Sequence, residues 1–108
     1  MIYTTEQIER IVAPIARLYG LPAVYLFGSY ARGTATEKSD IDLLIDTRGT
    51  ALKGLFALGS LYDDLHNAFN KPVDLVTIGA LEQTPQMPSE ADFRDNVLRE
   101  RKLVYAIV

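Results

Sequence analysis

FGSYARGTATEKSDIDLLID, residues 27 to 46, decides how the chain is read. Side chains of a strand alternate between its two faces, so Asp40 and Asp42 project from one face of Ile41–Asp46. Ile41, Leu43 and Ile45 take the other face and can enter a core. Upstream, Ala23–Phe27 (AVYLF) is uniformly apolar and ends at Gly28, as expected of a strand covered on both faces. Downstream, Pro72–Thr77 (PVDLVT) reads as a third strand. Thr4 to Tyr19 reads as an amphipathic helix opened by a Thr4–Gln7 capping box, with Pro14 expected to kink or shorten it. The apolar spacing of Leu52, Leu55, Phe56, Tyr62, Leu65 and Phe69 predicts a helix from about Thr50 to Phe69, with Leu61 off its main stripe. Thr84, Pro85 and Pro88 mark a loop, after which Ser89 is expected to cap a helix to about Arg101. KLVYAIV can close the chain in extended form. This alternation predicts an α/β (α+β) fold, a small mixed sheet with helices packed on it, in one domain over residues 1–108.

The chain has 108 residues, 48% hydrophobic and 23% charged, which excludes a disordered or fibrous protein. Eleven basic against fourteen acidic residues give a net charge of −3. That balance argues against broad phosphate attraction, so no direct nucleic-acid binding is expected. There is no cysteine, hence no disulfide framework and no thiolate zinc site. MIYTTEQIER lacks the pattern of a secretory signal, and no apolar run approaches the ~18 residues needed to cross a bilayer. A cytoplasmic location with no membrane association is the expectation.

Two like charges on neighbouring positions of one face repel unless a cation lies between them. With oxygen donors only, and no histidine or cysteine nearby, that cation is Mg²⁺ or Mn²⁺ rather than zinc. Asp74 interrupts the apolar run VDLV, where an acid is costly unless paired or metal-bound. By itself Asp74 reads rather as the partner of a lysine or arginine, for example Lys71. If its strand lies beside Ile41–Asp46, however, three carboxylates can converge, enough to hold two divalent ions for phosphoryl chemistry. Gly28-Ser29 sits where a strand turns into a short helix. There the glycine lets backbone approach a phosphate, and Ser29 can add a hydroxyl donor.

GSYARGTATEKSDIDLLID resembles the signature of the DNA polymerase β-like nucleotidyltransferase superfamily, in particular its minimal nucleotidyltransferases. The pattern is Gly-Ser-x-Ala-Arg-Gly followed by Ser-Asp-x-Asp-Leu, with Asp74 and the flanking helices in the expected order. The resemblance implies that Gly28 and Ser29 bind the β- and γ-phosphates of ATP. It implies that Asp40, Asp42 and Asp74 are the catalytic, metal-holding acids for two Mg²⁺ (or Mn²⁺) ions. Arg32 and Ser39 match motif positions, but structural roles are preferred: Arg32 pairing with an acid, Ser39 shaping the approach to the strand. The resemblance further implies a HEPN-domain RNase toxin as partner, in a hetero-oligomer, with this chain as its antitoxin moving AMP onto a tyrosine of the toxin. Neutralisation by binding alone and transfer to a small, aminoglycoside-type substrate are the alternatives. The elements consume nearly all 108 residues, which also points to an acceptor supplied by another chain.

The remaining polar residues are assigned no chemistry. His66, beside Asp63 and Asp64, reads as part of a polar helix face, and Asp46 lies too far along its strand to join the acids. Arg94, Arg99, Arg101 and Lys102 read as a solvated face. The helix ending at Phe69 carries more leucine than one core face needs, so part of it is a candidate contact with another chain.

Overall fold

The computed structural model describes residues 1–52 and 54–107, with Leu55 described by its backbone alone. α1 (Thr5–Tyr19) starts at the expected capping box: Gln7 N–H donates to Thr4 Oγ1 at 3.1 Å, and Thr4 N–H to Gln7 Oε1 at 2.8 Å. It runs unbroken through Pro14 and stops at Gly20, whose φ of 67° a side chain would resist. β1 (Ala23–Phe27) leads directly into α2 (Gly28–Arg32), and β2 (Ile41–Asp46) follows the 33–40 loop. Then come α3 (Leu55–Phe69), β3 (Val73–Thr77), α4 (Ile78–Leu81), α5 (Pro88–Glu100) and β4 (Lys102–Ala106).

The strands form a mixed sheet in the order β3-β2-β1-β4. β1 is antiparallel to both β2 and β4, while β2 and β3 run parallel. Alternation sends Val24, Leu26, Ile41, Leu43, Ile45, Val73 and Val104 to one face, where Ile8 and Val12 of α1 and Leu61, Leu65 and Phe69 of α3 cover them. Phe27 and Leu44 face the other way, under Leu81 and Val97. Covering both faces of β1 and β2 is what their apolar runs require. None of the described helices is long and apolar enough to cross a membrane.

Three expectations need correction. The long helix begins at Leu55, not Thr50, because Gly54 holds φ at 83° and Thr50 is engaged in a turn, donating to the Thr47 carbonyl at 2.7 Å. Lys53 of the expected span lies outside the described residues, as does Val108 of the expected extended end. The buried stripe of α3 is Leu61, Leu65 and Phe69, so Leu61 belongs to it, whereas Phe56 is 99% exposed and Tyr62 faces solvent. Leucine spacing alone allowed both phases, and packing against α1 selected one. Finally, α5 starts at Pro88 with Met87 as its unassisted cap, so Ser89 does not cap it. Proline fits the first helical position because its missing N–H would have had no partner there. α4, unanticipated, is capped by Thr77 Oγ1, which accepts from Ala80 N–H at 3.1 Å.

Gly59 lies inside α3 with open space where a side chain would stand. Gly59→Ala is therefore expected to stabilise the protein by up to about 1 kcal/mol, read as a higher denaturation midpoint in urea.

Candidate active site

Parallel pairing of β2 with β3 sets Asp42 directly opposite Asp74. Both carboxylates sit on the sheet face away from α1 and α3, and both line a cavity of about 500 Å³ with Gly28, Arg32, Phe93 and Asn96. Asp40 stands one residue before β2, exposed, and near enough for its charge to act on Asp42. The carboxyl of Asp42 is pushed up to about 7, first by burial, then by a hydrogen bond and like charge from Asp74 and by like charge from Asp40, with Arg32 partly offsetting them. A group so placed favours a positive charge beside it.

The three acids are not a ready-made cage: among the described residues no three acid or histidine groups stand together within reach of one metal ion. Asp42 and Asp74 share a hydrogen bond, while Asp40 acts on Asp42 through its charge alone. The donor set nevertheless fits a hard divalent ion, being all oxygen with excess negative charge. Lys71, the candidate partner of Asp74, is committed elsewhere. Its Nζ donates to Tyr30 Oη at 3.1 Å and to the Glu37 carbonyl at 3.3 Å. It thereby ties the 33–40 loop to the turn before β3 and leaves Arg32 as the cation acting on Asp42.

Gly28 opens α2 with φ at 72°. A Cβ built there would lie 2.1 Å from Asp42 Oδ2 and 3.0 Å from its Cγ. The turn and the acid thus occupy adjoining space that only glycine leaves free. Ser29 is half-buried at the next position, and its carbonyl accepts from Thr34 N–H at 2.9 Å, closing the turn after α2. Arg32 donates to Glu100 Oε2 at 3.0 Å, which pins α2 to α5. Ser39 Oγ accepts from Thr36 N–H at 2.8 Å and shapes the loop leading to Asp40. Asp46 is buried at the far end of β2, held below the usual carboxylate range chiefly by hydrogen bonds from Arg48.

One wall of the cavity was not anticipated. Phe93, Asn96, Val97 and Glu100 of α5 line it, and the Phe93 ring meets Phe27 edge-on at 6.0 Å. No motif marks these residues; only the helical spacing Phe93-Asn96-Val97-Glu100 could have shown that they share a face.

The state of Asp42 sets a pH dependence. Below about 7 its carboxyl holds a proton that an incoming divalent ion must displace. Mg²⁺ affinity is expected to weaken by up to about tenfold per pH unit below 7 and to level off above it, measured by titration calorimetry.

A family profile described as a nucleotidyltransferase domain matches residues 8–104. A Methanocaldococcus jannaschii protein named as a candidate protein adenylyltransferase is 36% identical over 76 residues, covering 70% of this chain and 80% of that one. Protein adenylyltransferase MntA of Thermococcus cleftensis is 32% identical over 83 residues, covering 73% of this chain and 82% of the relative. Among solved structures, a toxin–antitoxin crystallised with AMP-PNP superposes with a TM-score of 0.68 at 26% identity, covering 92% of this chain and 73% of that one.

Proposed function

The chain belongs to the nucleotidyltransferase domain family, and from that premise we propose that it moves AMP from ATP onto a hydroxyl, a tyrosine's, of a HEPN-domain RNase toxin, as the cytoplasmic antitoxin. The observation that carries this reading is the direct opposition of Asp42 and Asp74 beside the constrained turn at Gly28. The solved toxin–antitoxin with AMP-PNP supports a nucleotide substrate and a toxin as partner.

Asp42 and Asp74, with Asp40 beside them, would hold two Mg²⁺ or Mn²⁺ ions. Those ions would supply charge neutralisation on the phosphates and a lowered pKa for the attacking hydroxyl. Gly28 and Ser29 present the backbone and hydroxyl that receive the β- and γ-phosphates. Arg32, hydrogen-bonded to Glu100, ties α2 and therefore that turn to α5. The acceptor oxygen forms a bond to the α-phosphorus as the bond from that phosphorus to the bridging oxygen breaks. Pyrophosphate leaves with the electron pair and the hydroxyl proton leaves to solvent. The 108 residues form one domain dedicated to this step.

The test is the mass of the HEPN-domain partner after incubation with this protein, ATP and Mg²⁺. A gain of whole AMP units is expected. Silenced RNase activity with unchanged partner mass overturns transfer in favour of neutralisation by binding.

A further inference from the structure

β3 is an edge strand. Pro72 gives its carbonyl to Ile41 N–H at 3.1 Å, so by alternation Val73, Leu75 and Thr77 turn their backbone groups away from β2. On that side β3 has no strand partner among the described residues. Between this edge and α3 runs a second cavity of about 500 Å³, lined by Leu58, Gly59, Tyr62, Asp63, Asp74 and Leu75 among others. Asp74 and Leu75 also line the catalytic cavity, so β3 is the wall that the two spaces share. Residues of β1, α2, β2 and α5 line the other walls of the catalytic cavity, and β3 lies at the edge of the sheet.

The chemistry of the groove is specific. It carries the exposed carboxylate of Asp63, Asp74 borders it from β3 with its own carboxylate on the opposite sheet face, and no cationic side chain lines it among the described residues. Phe56, 99% exposed, lies one helical turn before Gly59 on the face of α3 that continues to Asp63. A free strand edge, an aromatic standing in solvent and unbalanced negative charge together fit an extended polypeptide with a basic residue better than a small molecule.

We infer that the acceptor polypeptide docks here, as an extended basic segment along the free edge of β3 that delivers its hydroxyl past Asp74 to the catalytic cavity. The inference rests on the transferase reading above and names how its protein substrate is held. The backbone of β3 supplies affinity, Asp63 selects the basic residue, and Tyr62 and Phe56 receive apolar side chains.

The test uses the full chain with its HEPN-domain partner and two readouts, calorimetric affinity for the partner and transfer of label from [α-³²P]ATP. Gly59→Trp fills the groove from a position with open space, Gly59→Ala is the control, and Asp63→Arg reverses charge on an exposed site outside the catalytic machinery. Gly59→Trp and Asp63→Arg are each expected to weaken partner binding and transfer at least about tenfold. Gly59→Ala is expected to match the wild type in both, and all three variants to keep wild-type ATP affinity. Unchanged partner affinity in both substituted variants overturns the groove, even if transfer itself is confirmed. If the wild type binds its partner but labels nothing, the transferase reading falls, and partner affinity alone decides whether this is the docking surface. If Gly59→Trp abolishes self-association of the chain in sedimentation and spares partner binding, the groove joins two copies of this chain and the inference is wrong.

Discussion

Asp42→Asn is expected to slow nucleotidyl transfer by about a thousandfold, a loss of ~4 kcal/mol of transition-state stabilisation, while leaving the fold intact. Asp42 is the acid that touches both other parts of the site: its carboxyl contacts Asp74 across the parallel ladder and abuts the backbone of Gly28. An amide keeps the shape but removes the charge that draws a divalent ion. The same variant is expected to be more stable than the wild type in metal-free buffer at pH 8. The folded protein holds the Asp42 proton up to about 7 against an ordinary value of 3.8, so ionisation there works against folding. This penalty is absent below about pH 4, grows as pH rises and is complete above about 7. Because the group is partly exposed, solvent screening reduces it to about 1–2 kcal/mol. Denaturation midpoints at pH 4 and pH 8, with and without Mg²⁺, separate the two effects. Full transfer activity in Asp42→Asn would remove the metal-holding role.

Gly28→Ala is the second substitution with a large expected effect. It places a carbon at 2.1 Å from Asp42 Oδ2 in a residue whose φ of 72° already resists any side chain. Because the Asp42 Cγ is also within 3.0 Å, rotating the carboxylate tip alone does not relieve the clash; the turn or the strand must shift. A displacement near 1 Å at a reacting centre costs about a hundredfold in rate, which is the expected loss in kcat/KM. Strain and displacement together are expected to destabilise the fold by about 2–3 kcal/mol. Wild-type turnover in this variant would show that the turn is not a phosphate cradle.

The acids and the turn were legible because they break local rules. Asp42 and Asp74 each interrupt a run of apolar residues in their strand, and parity along a strand is enough to assign a face. Their exact opposition needed the register of β2 on β3, which long-range pairing sets and no local pattern encodes. The α5 wall was illegible for the same reason, since Glu100 meets Arg32 across 68 residues of chain. The phase of α3 was misread because leucine recurs around much of the helix, and what distinguishes Leu61 from Tyr62 is the position of α1. Its start was misread because Thr50 and Gly54 carry turn geometry that apolar spacing does not register.

Lys71, three residues before Asp74 in sequence, is spent on Tyr30 and the carbonyl of Glu37. The protein therefore carries its own defect, a crowded negative pair that any neutral or cationic replacement would relieve. Laboratory evolution for heat resistance in chelator-treated medium should accumulate changes at 42 and 74 first, and the hardiest survivors should be inert.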